Sequence, residues 1–341
     1  MDKIKVIHFQ RKPRPGFNYS IESIFNDLRC NLKDRVDFSV AVSRCFNTGY
    51  LSKIFNILEA AFRQKKNTIP HITGEVYFLN LMMRKETSLL TIHDCRFMQR
   101  KKGTGKKLIR WLYLKAPVKK AARVVTVSEA TKKEVIKYTG CDAGKIQVIP
   151  VSISTIFQPV YKAFNKDCPV ILQVGAAENK NLLRLAEALE GICCRLVIIG
   201  TPGKQEIEKL MSAKINYIIK PALTTAALYE QYIGCDMVSF VSTFEGFGMP
   251  IVEANSVERV VVTSNISSMP EIAGDAACFV NPFDINDMRK GFLRVIHDDA
   301  YRETLITRGR ANRLRFDGIQ VANAYYTLYR EMIQNGEVNH G

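Results

Sequence analysis

The chain has 341 residues, 47% of them apolar and 24% charged, enough to build two ordinary domains with hydrophobic cores and far from the composition of a disordered or fibrous protein. Its formal charge of +16 is uneven: Met1 to Pro150 hold 30 basic and 12 acidic side chains, leaving 19 and 21 for the rest. A cationic half points to an anionic surface, phospholipid or nucleic acid, or to anionic small molecules, without choosing among them.

The opening MDKIKVIHFQRK has a short apolar run that stops at Gln10, Arg11 and Lys12; it reads as a first strand rather than a signal peptide. Short β-branched runs then alternate with longer helical patterns. Strands are expected at 4–9, 36–43, 68–73, 88–93, 123–128 and 146–150, and helices at 18–32, 51–66, 76–84, 106–122 and 129–138. From Val151 to Pro169 the rhythm lapses into VSISTIFQPVYKAFNKDCP, the irregular character of an inter-domain linker. It resumes with strands expected at 170–175, 195–200, 216–220, 237–242, 260–264 and 278–280, and helices at 181–190, 204–211, 224–233, 250–257, 284–297, 299–313 and 318–333. Strands separated by crossover helices mean parallel sheets. The fold class is therefore α/β, with two doubly wound, Rossmann-like domains at 1–155 and 165–315 and a final helix at 318–334 free to pack back on the first.

Nine cysteines, an odd number with no C-x-x-C pair, argue against a disulfide framework or zinc site and for a reducing cytoplasm, with the inner face of the membrane open as a location. No window approaches the roughly 18 uninterrupted apolar residues of a membrane span, so any membrane contact is expected to be peripheral. Ligands of open parallel sheets sit beyond the carboxyl ends of the strands. Two such domains facing each other would form a cleft there, and the unusual residues fall in those loops.

The most informative stretch is SFVSTFEGFGMPIVEA, from Ser239. A strand ends near Ser242, Gly246 and Gly248 bracket Phe247, and Pro250 stands where a helix can begin. Glycines allow close backbone approach, and free N–H groups at a helix N-terminus bind anionic oxygens. Glu245 and Glu253 would point at one strand-end site. Two acceptor carboxylates beside a phosphate cradle suit a ligand with hydroxyls at both ends and an anionic middle, as in a nucleotide sugar.

Glu245 and Glu253, with seven residues between them, resemble the E-x7-E signature of retaining glycosyltransferases of GT-B architecture, in particular family 4. The resemblance extends, in order, to RKPRPGFNYSIE at 11–22, TIHD at 91–94, TVSEAT at 126–131, NKN at 179–181 and SSMPEIAGDAA at 267–277, the last leaning toward bacterial polysaccharide and O-antigen mannosyltransferase-like members. It implies that Glu253 binds the ribose hydroxyls and Glu245 the donor sugar, while the amides of Phe247, Gly248 and Met249 hold sugar and diphosphate. It implies that Lys180 neutralises the diphosphate leaving group, that Gly16 lets the first domain's backbone approach the phosphate, that His93 lies over the sugar, and that Leu223 contacts the base. Catalysis would fall to Glu245, Lys180 and His93. No cofactor or metal is implied: the donor is a GDP- or UDP-linked sugar and the acceptor a glycan or lipid-linked glycan. The leaving diphosphate would itself take the acceptor's proton.

Two departures stand out. The family's diphosphate arginine would fall just after Gly175, where this chain has Ala176 and Ala177. Where relatives carry Gly-x-Pro before the next strand, it reads Glu258, Arg259 and Val260.

Taken singly, the same residues have plainer readings: a solvated loop acid for Glu245, a helix first-turn acid for Glu253, a surface charge for Lys180, a core histidine for His93, an N-cap for Ser128 and a structural role for Asp94. Competing functions are a sugar-nucleotide epimerase of related fold, a nicotinamide oxidoreductase, and a nucleic-acid binder resting on charge alone. FQRKPRPG stands where a nicotinamide enzyme needs G-x-G-x-x-G. The basic run RKKGTGKK, with Leu108, Trp111 and Leu112 beyond it, carries no nucleic-acid motif; anionic lipid is the partner it suits better.

Overall fold

The computed structural model describes residues 3–13, 20–47, 49–84, 87–98, 108, 110–221 and 223–335. Their contacts gather into two units, Met1–Ser152 with Gly318–Gly341, and Ile153–Asp317.

In the first unit the chain runs β1 (Ile4–Gln10), α1 (Ser20–Leu32), β2 (Val36–Val42), α2 (Tyr50–Arg63), β3 (Ile69–Ile72), β4 (Leu89–Ile92), α3 (Ala116–Lys120), β5 (Arg123–Thr126), α4 (Glu129–Thr139) and β6 (Ile146–Val148). All six strands are parallel, in the order β2-β1-β3-β4-β5-β6. The expected helix at 76–84 is a 3₁₀ helix, Tyr77–Met82. Within the expected helix at 106–122, Trp111–Lys115 forms a π turn ahead of α3, which holds Pro117 in its first turn. Proline cannot donate to the preceding ladder and its ring crowds the carbonyl four residues back, so the helix widens there. Ser128 caps α4, its Oγ accepting from Thr131 N at 3.1 Å.

The second unit runs β7 (Val170–Val174), α5 (Leu182–Leu189), β8 (Arg195–Ile199), α6 (Lys204–Ser212), β9 (Asn216–Lys220), α7 (Thr225–Gly234), β10 (Met237–Phe240), α8 (Met249–Ser256), β11 (Val260–Ser264), α9 (Met269–Ala273), β12 (Cys278–Val280), α10 (Ile285–His297) and α11 (Asp299–Asn312). The short α9 was not anticipated. This sheet too is fully parallel, ordered β12-β11-β10-β7-β8-β9. Chain order reverses between β7 and β10, and that is the switch point where doubly wound sheets open a crevice. The segment read as a linker is seated on this unit: Phe157 is buried with its ring edge-on to Tyr229 and Tyr232, and Asp236 accepts from Lys162 and from Val170 N.

The last helix, α12 (Gly318–Gln334), packs on the first unit through a buried polar relay. Arg29 Nη1 lies 3.2 Å from His8 Nδ1, His8 Nε2 3.4 Å from Tyr329 Oη, Tyr329 Oη 2.8 Å from His71 Nδ1, and His71 Nε2 2.8 Å from Thr91 Oγ1. Arginine can only donate, so His8 accepts at Nδ1 and passes its Nε2 proton onward, and the remaining bonds follow in one direction. Burial holds both imidazoles neutral, with the His71 pKa pushed down to about 3.

The turn that departs from Gly-x-Pro has a structural logic. Glu258 occupies the left-handed region at φ 61°, where glycine fits without strain, and is tied by its carboxylate to Arg310 at 2.8 Å. Arg259 is buried and donates to the carbonyls of Ile233, Cys235, Val257 and Val160 at 2.6–2.9 Å. One guanidinium thereby satisfies the carboxyl ends of α7 and α8 and clamps the preceding segment. Arg259→Met leaves those carbonyls dry and unpaired, an expected loss of about 3 kcal/mol, read as a melting temperature lower by roughly 6–12 °C. An unchanged melting curve would show the clamp to be dispensable.

Candidate active site

Two loops meet at the switch point of the second unit. The first follows β7. Gly175 there has φ +94°, and a Cβ built on it would lie 2.9 Å from Lys180 Cε, so the missing side chain is what lets the lysine fold back across the strand end. A short 3₁₀ turn, Glu178–Lys180, follows, and Asn181 in the left-handed region starts α5. Buried Gln173 holds this loop from beneath, its Nε2 donating to Lys180 O at 3.1 Å. The second loop follows β10. Thr243 N donates to Asn179 O at 2.8 Å and Asn179 Nδ2 donates to Phe244 O at 2.9 Å, stitching the loops together.

Across that seam Lys180 Nζ donates to Glu245 Oε1 at 2.7 Å, and Asn179 Nδ2 reaches the same oxygen at 3.0 Å. Both partners of the ion pair are mostly buried, and Nζ sits 4.6 Å from the centre of the Phe240 ring. The main chain of Glu245 is fixed from the far side: Ser267 Oγ donates to Glu245 O at 2.7 Å and accepts from Glu245 N at 3.2 Å, and Ser268 Oγ reaches Glu245 O at 3.0 Å. The SSMPEIAGDAA block thus holds Glu245 in place.

Glu253 lies on α8, buried, with Oε2 accepting from Tyr232 Oη at 2.5 Å. Burial raises its pKa to about 7, against the opposing pull of the Tyr232 hydroxyl and the Lys180 charge. Lys180 is therefore the common cation: ion-paired to Glu245 and close enough to favour the charged form of Glu253. Gly248, at φ +131°, precedes α8, Pro250 stands in its first turn, and the Phe247 ring is buried edge-on to Phe316. That ring is core; the main chain of this turn, leading into the helix, is what remains to meet a ligand.

Lys180, Glu245, Phe247, Gly248, Met249 and Glu253 are thus brought together. Leu223 is not part of that knot: it lies half-buried after edge strand β9, just before Thr224, the N-cap of α7. His93 belongs to the first unit, at the end of β4. Its Nε2 donates to Thr73 O at 2.8 Å, burial lowers its pKa, and Gly74 at φ +141° makes room for the ring, a Cβ there falling 2.6 Å from it. Gly16 lies outside the described residues. Among the described residues no group of three or more His, Cys, Asp or Glu could hold a metal, and no helix is long and apolar enough to cross a membrane.

Sequence reasoning gave no role to Asn179, Gln173, Ser267, Ser268 or Tyr232 in this site. Asn179 and the two serines stand inside recognised blocks, a usable signal. Tyr232 and Gln173 carry none, because their partners are tertiary.

Two parallel Rossmann-like units, the second with carboxylates, a lysine and a glycine turn at its switch point, define a doubly wound α/β fold of the nucleotide-binding type. Residues 156–312 match the family described as glycosyl transferases group 1 and residues 22–156 match glycosyltransferase family 4, so the chain belongs to the family 4 glycosyltransferases. It is 26% identical over 300 residues to the O-antigen chain mannosyltransferase B of Escherichia coli, covering 79% of this chain and 76% of that one. It is 23% identical over 246 residues to the serotype-specific mannosyltransferase WbdA of Escherichia coli, covering 65% of this chain but only 30% of that longer protein. In fold it is similar to Anabaena HepE, solved in complex with UDP and glucose (TM-score 0.79, 13% identity, 96% of this chain and 100% of that one). It is also similar to WaaG, a glycosyltransferase involved in lipopolysaccharide biosynthesis (TM-score 0.72, 11% identity, 96% and 99%). The fold is GT-B. These matches give no support to the epimerase and oxidoreductase alternatives.

Proposed function

We propose that the chain transfers a hexosyl group, mannose by analogy with its relatives, from a nucleoside diphosphate sugar to a glycan or lipid-linked glycan in surface-polysaccharide assembly, with retention of configuration. The observation that carries this reading is the Lys180–Glu245 ion pair at the switch point, with buried Glu253 within the electrostatic reach of the same lysine, beside a glycine turn that opens a helix. Two acceptor groups separated by a cation and a row of amides match a ligand with hydroxyls at both ends and a diphosphate between them.

In the mechanism this arrangement supports, Glu253 accepts from the ribose hydroxyls and Glu245 from the donor sugar. Lys180 and the amides of Phe247, Gly248 and Met249 bear on the diphosphate, stabilising the charge that grows as the bond from the anomeric carbon to the phosphate oxygen breaks. A diphosphate oxygen takes the acceptor's proton, and the acceptor oxygen bonds to the anomeric carbon on the face the leaving group vacates. With Ala176 and Ala177 where relatives place an arginine, Lys180 is the single side-chain cation this reading assigns to the diphosphate. His93 and Gly16 are assigned to the sugar and phosphate from the first unit, and Leu223 to the base.

A thermal-shift screen against UDP, GDP and their sugars tests the assignment, since a ligand that binds only the native state stabilises it by about 2.7 kcal/mol at a hundred times its Kd. One diphosphate series is expected to raise the melting temperature by several degrees. Product analysis with that donor should then yield a new glycosidic bond, undiminished by EDTA. No shift with any member, or conversion of the donor to an epimer without transfer, would contradict the proposal.

A further inference from the structure

Helix α2 is amphipathic in the wrong direction for a crossover helix. The side chains it buries fully are Asn56 and Ala60, and Asn56 is fastened by two hydrogen bonds to the backbone of Cys45 (2.9 and 3.1 Å). Of its large apolar residues Ile57 packs, partly buried, on the core; Tyr50, Leu51, Ile54, Phe55, Leu58 and Phe62 are exposed, Tyr50, Leu51 and Phe62 at 84, 83 and 87%. Exposed single leucines are ordinary; six bulky groups on two adjoining stripes of one helix mark an interaction surface. Val40 and Val42 on β2, the edge strand, and Phe46 in the following loop are exposed as well.

The charge around this face selects the partner. Between Arg44 and Lys66 the sequence holds five basic residues and one acid, and that acid, Glu59, is paired with Arg44 and Arg63 at 3.0 and 2.8 Å. Lys53, Lys65 and Lys66 remain as positive charges beside the apolar groups. Lys53 Nζ stands 5.0 Å from the Tyr113 ring, which carries the surface toward the π turn and its exposed Trp111. A second copy of this face would set like charges against each other, whereas an anionic bilayer accepts both components: aromatic and aliphatic groups enter the headgroup boundary while lysines meet phosphates.

We infer that α2 is the element through which this protein docks on anionic lipid. The lipid-linked acceptor of the proposed function is a reason for the enzyme to be there, but the inference rests on the surface alone. Full-length protein is mixed with vesicles of phosphatidylcholine, with and without roughly a third phosphatidylglycerol, at low and physiological salt, and the bound fraction is read by sedimentation. The partition coefficient is expected to be at least about tenfold higher on anionic vesicles, to fall with salt, and to drop about tenfold or more in the double variant Leu51→Glu, Phe62→Glu. Met211→Glu, at an exposed apolar position of the second unit, should bind as the parent does. Equal partition onto the two vesicle types, a double variant that binds like the parent, or a Met211→Glu variant that binds as weakly as the double variant overturns the inference. So does a parent that ignores vesicles and instead self-associates through this face. The measurement uses neither donor nor acceptor, so it succeeds or fails separately from the catalytic assignment.

Discussion

Glu245→Ala is expected to abolish transfer, lowering kcat by about 10³-fold, on the order of 4 kcal/mol in the barrier, while the fold is retained. The carboxylate does two things. In the proposed mechanism it offers oxygens to the donor sugar, and in this structure it holds Lys180 Nζ at 2.7 Å, with Asn179 supporting the same oxygen. Removing it leaves the lysine free to swing. Lys180→Ala should lose a similar factor for the complementary reason, and the double variant should lose much less than the product of the two, because the groups act as a unit. Glu245→Gln separates the roles: it keeps an oxygen for Asn179 and for sugar hydroxyls but gives up the ion pair. Steady-state kinetics on the four variants, with circular dichroism as the control for folding, checks this. Near-normal turnover in Glu245→Ala would sink the mechanism.

The second large effect belongs to Glu253 and is one of binding. Glu253→Ala is expected to raise the donor KM by about 100-fold with a smaller change in kcat, since ribose contacts are made equally in ground and transition states. Acidity adds a signature. With its pKa raised to about 7 by burial, the free enzyme takes up a proton at Glu253 as pH falls through that value, and donor affinity falls with it, about tenfold per pH unit below the pKa; Glu253→Gln should flatten the profile. The stability sign is the reverse. A folded pKa above the ordinary 4.5 means that this group's contribution is fully present below about 4.5 and is lost as pH rises through about 7. Tyr232→Phe removes the hydroxyl that favours the carboxylate, so the affinity profile should move to higher pH with kcat nearly unchanged. A merely structural tyrosine would leave the profile in place.

Much of this was legible in the sequence for identifiable reasons. Parallel strands buried on both faces read as β-branched runs, so β7, β8 and β11 fall where expected to within a residue at either end, and the half-exposed edge strand β9 does so too through Tyr217, Ile218 and Ile219. The loops of the candidate site were legible because glycine, proline and acid spacing is local chemistry: Gly248, Pro250 and Glu253 determine one another's places along a single turn and helix. What was not legible is what depends on contacts across the sheet. Tyr232 meets Glu253 from a neighbouring helix, Ser267 meets Glu245 from a separate loop, and no periodicity encodes either meeting. Arg259 looked like an altered turn and is a buried clamp. Helix α2 was expected, but a helical apolar period says only that one face is greasy; that this face turns outward became visible only with Asn56 and Ala60 placed inside.

Isothermal titration of the nucleoside diphosphate and of its sugar, each against the parent, Glu245→Ala and Glu253→Ala, tests the division of labour most directly. The account predicts that Glu253→Ala weakens both ligands, because both carry the ribose, whereas Glu245→Ala weakens the sugar nucleotide and leaves the bare diphosphate essentially as the parent binds it. Equal affinities across all three proteins, or the opposite pattern between the two variants, would contradict it.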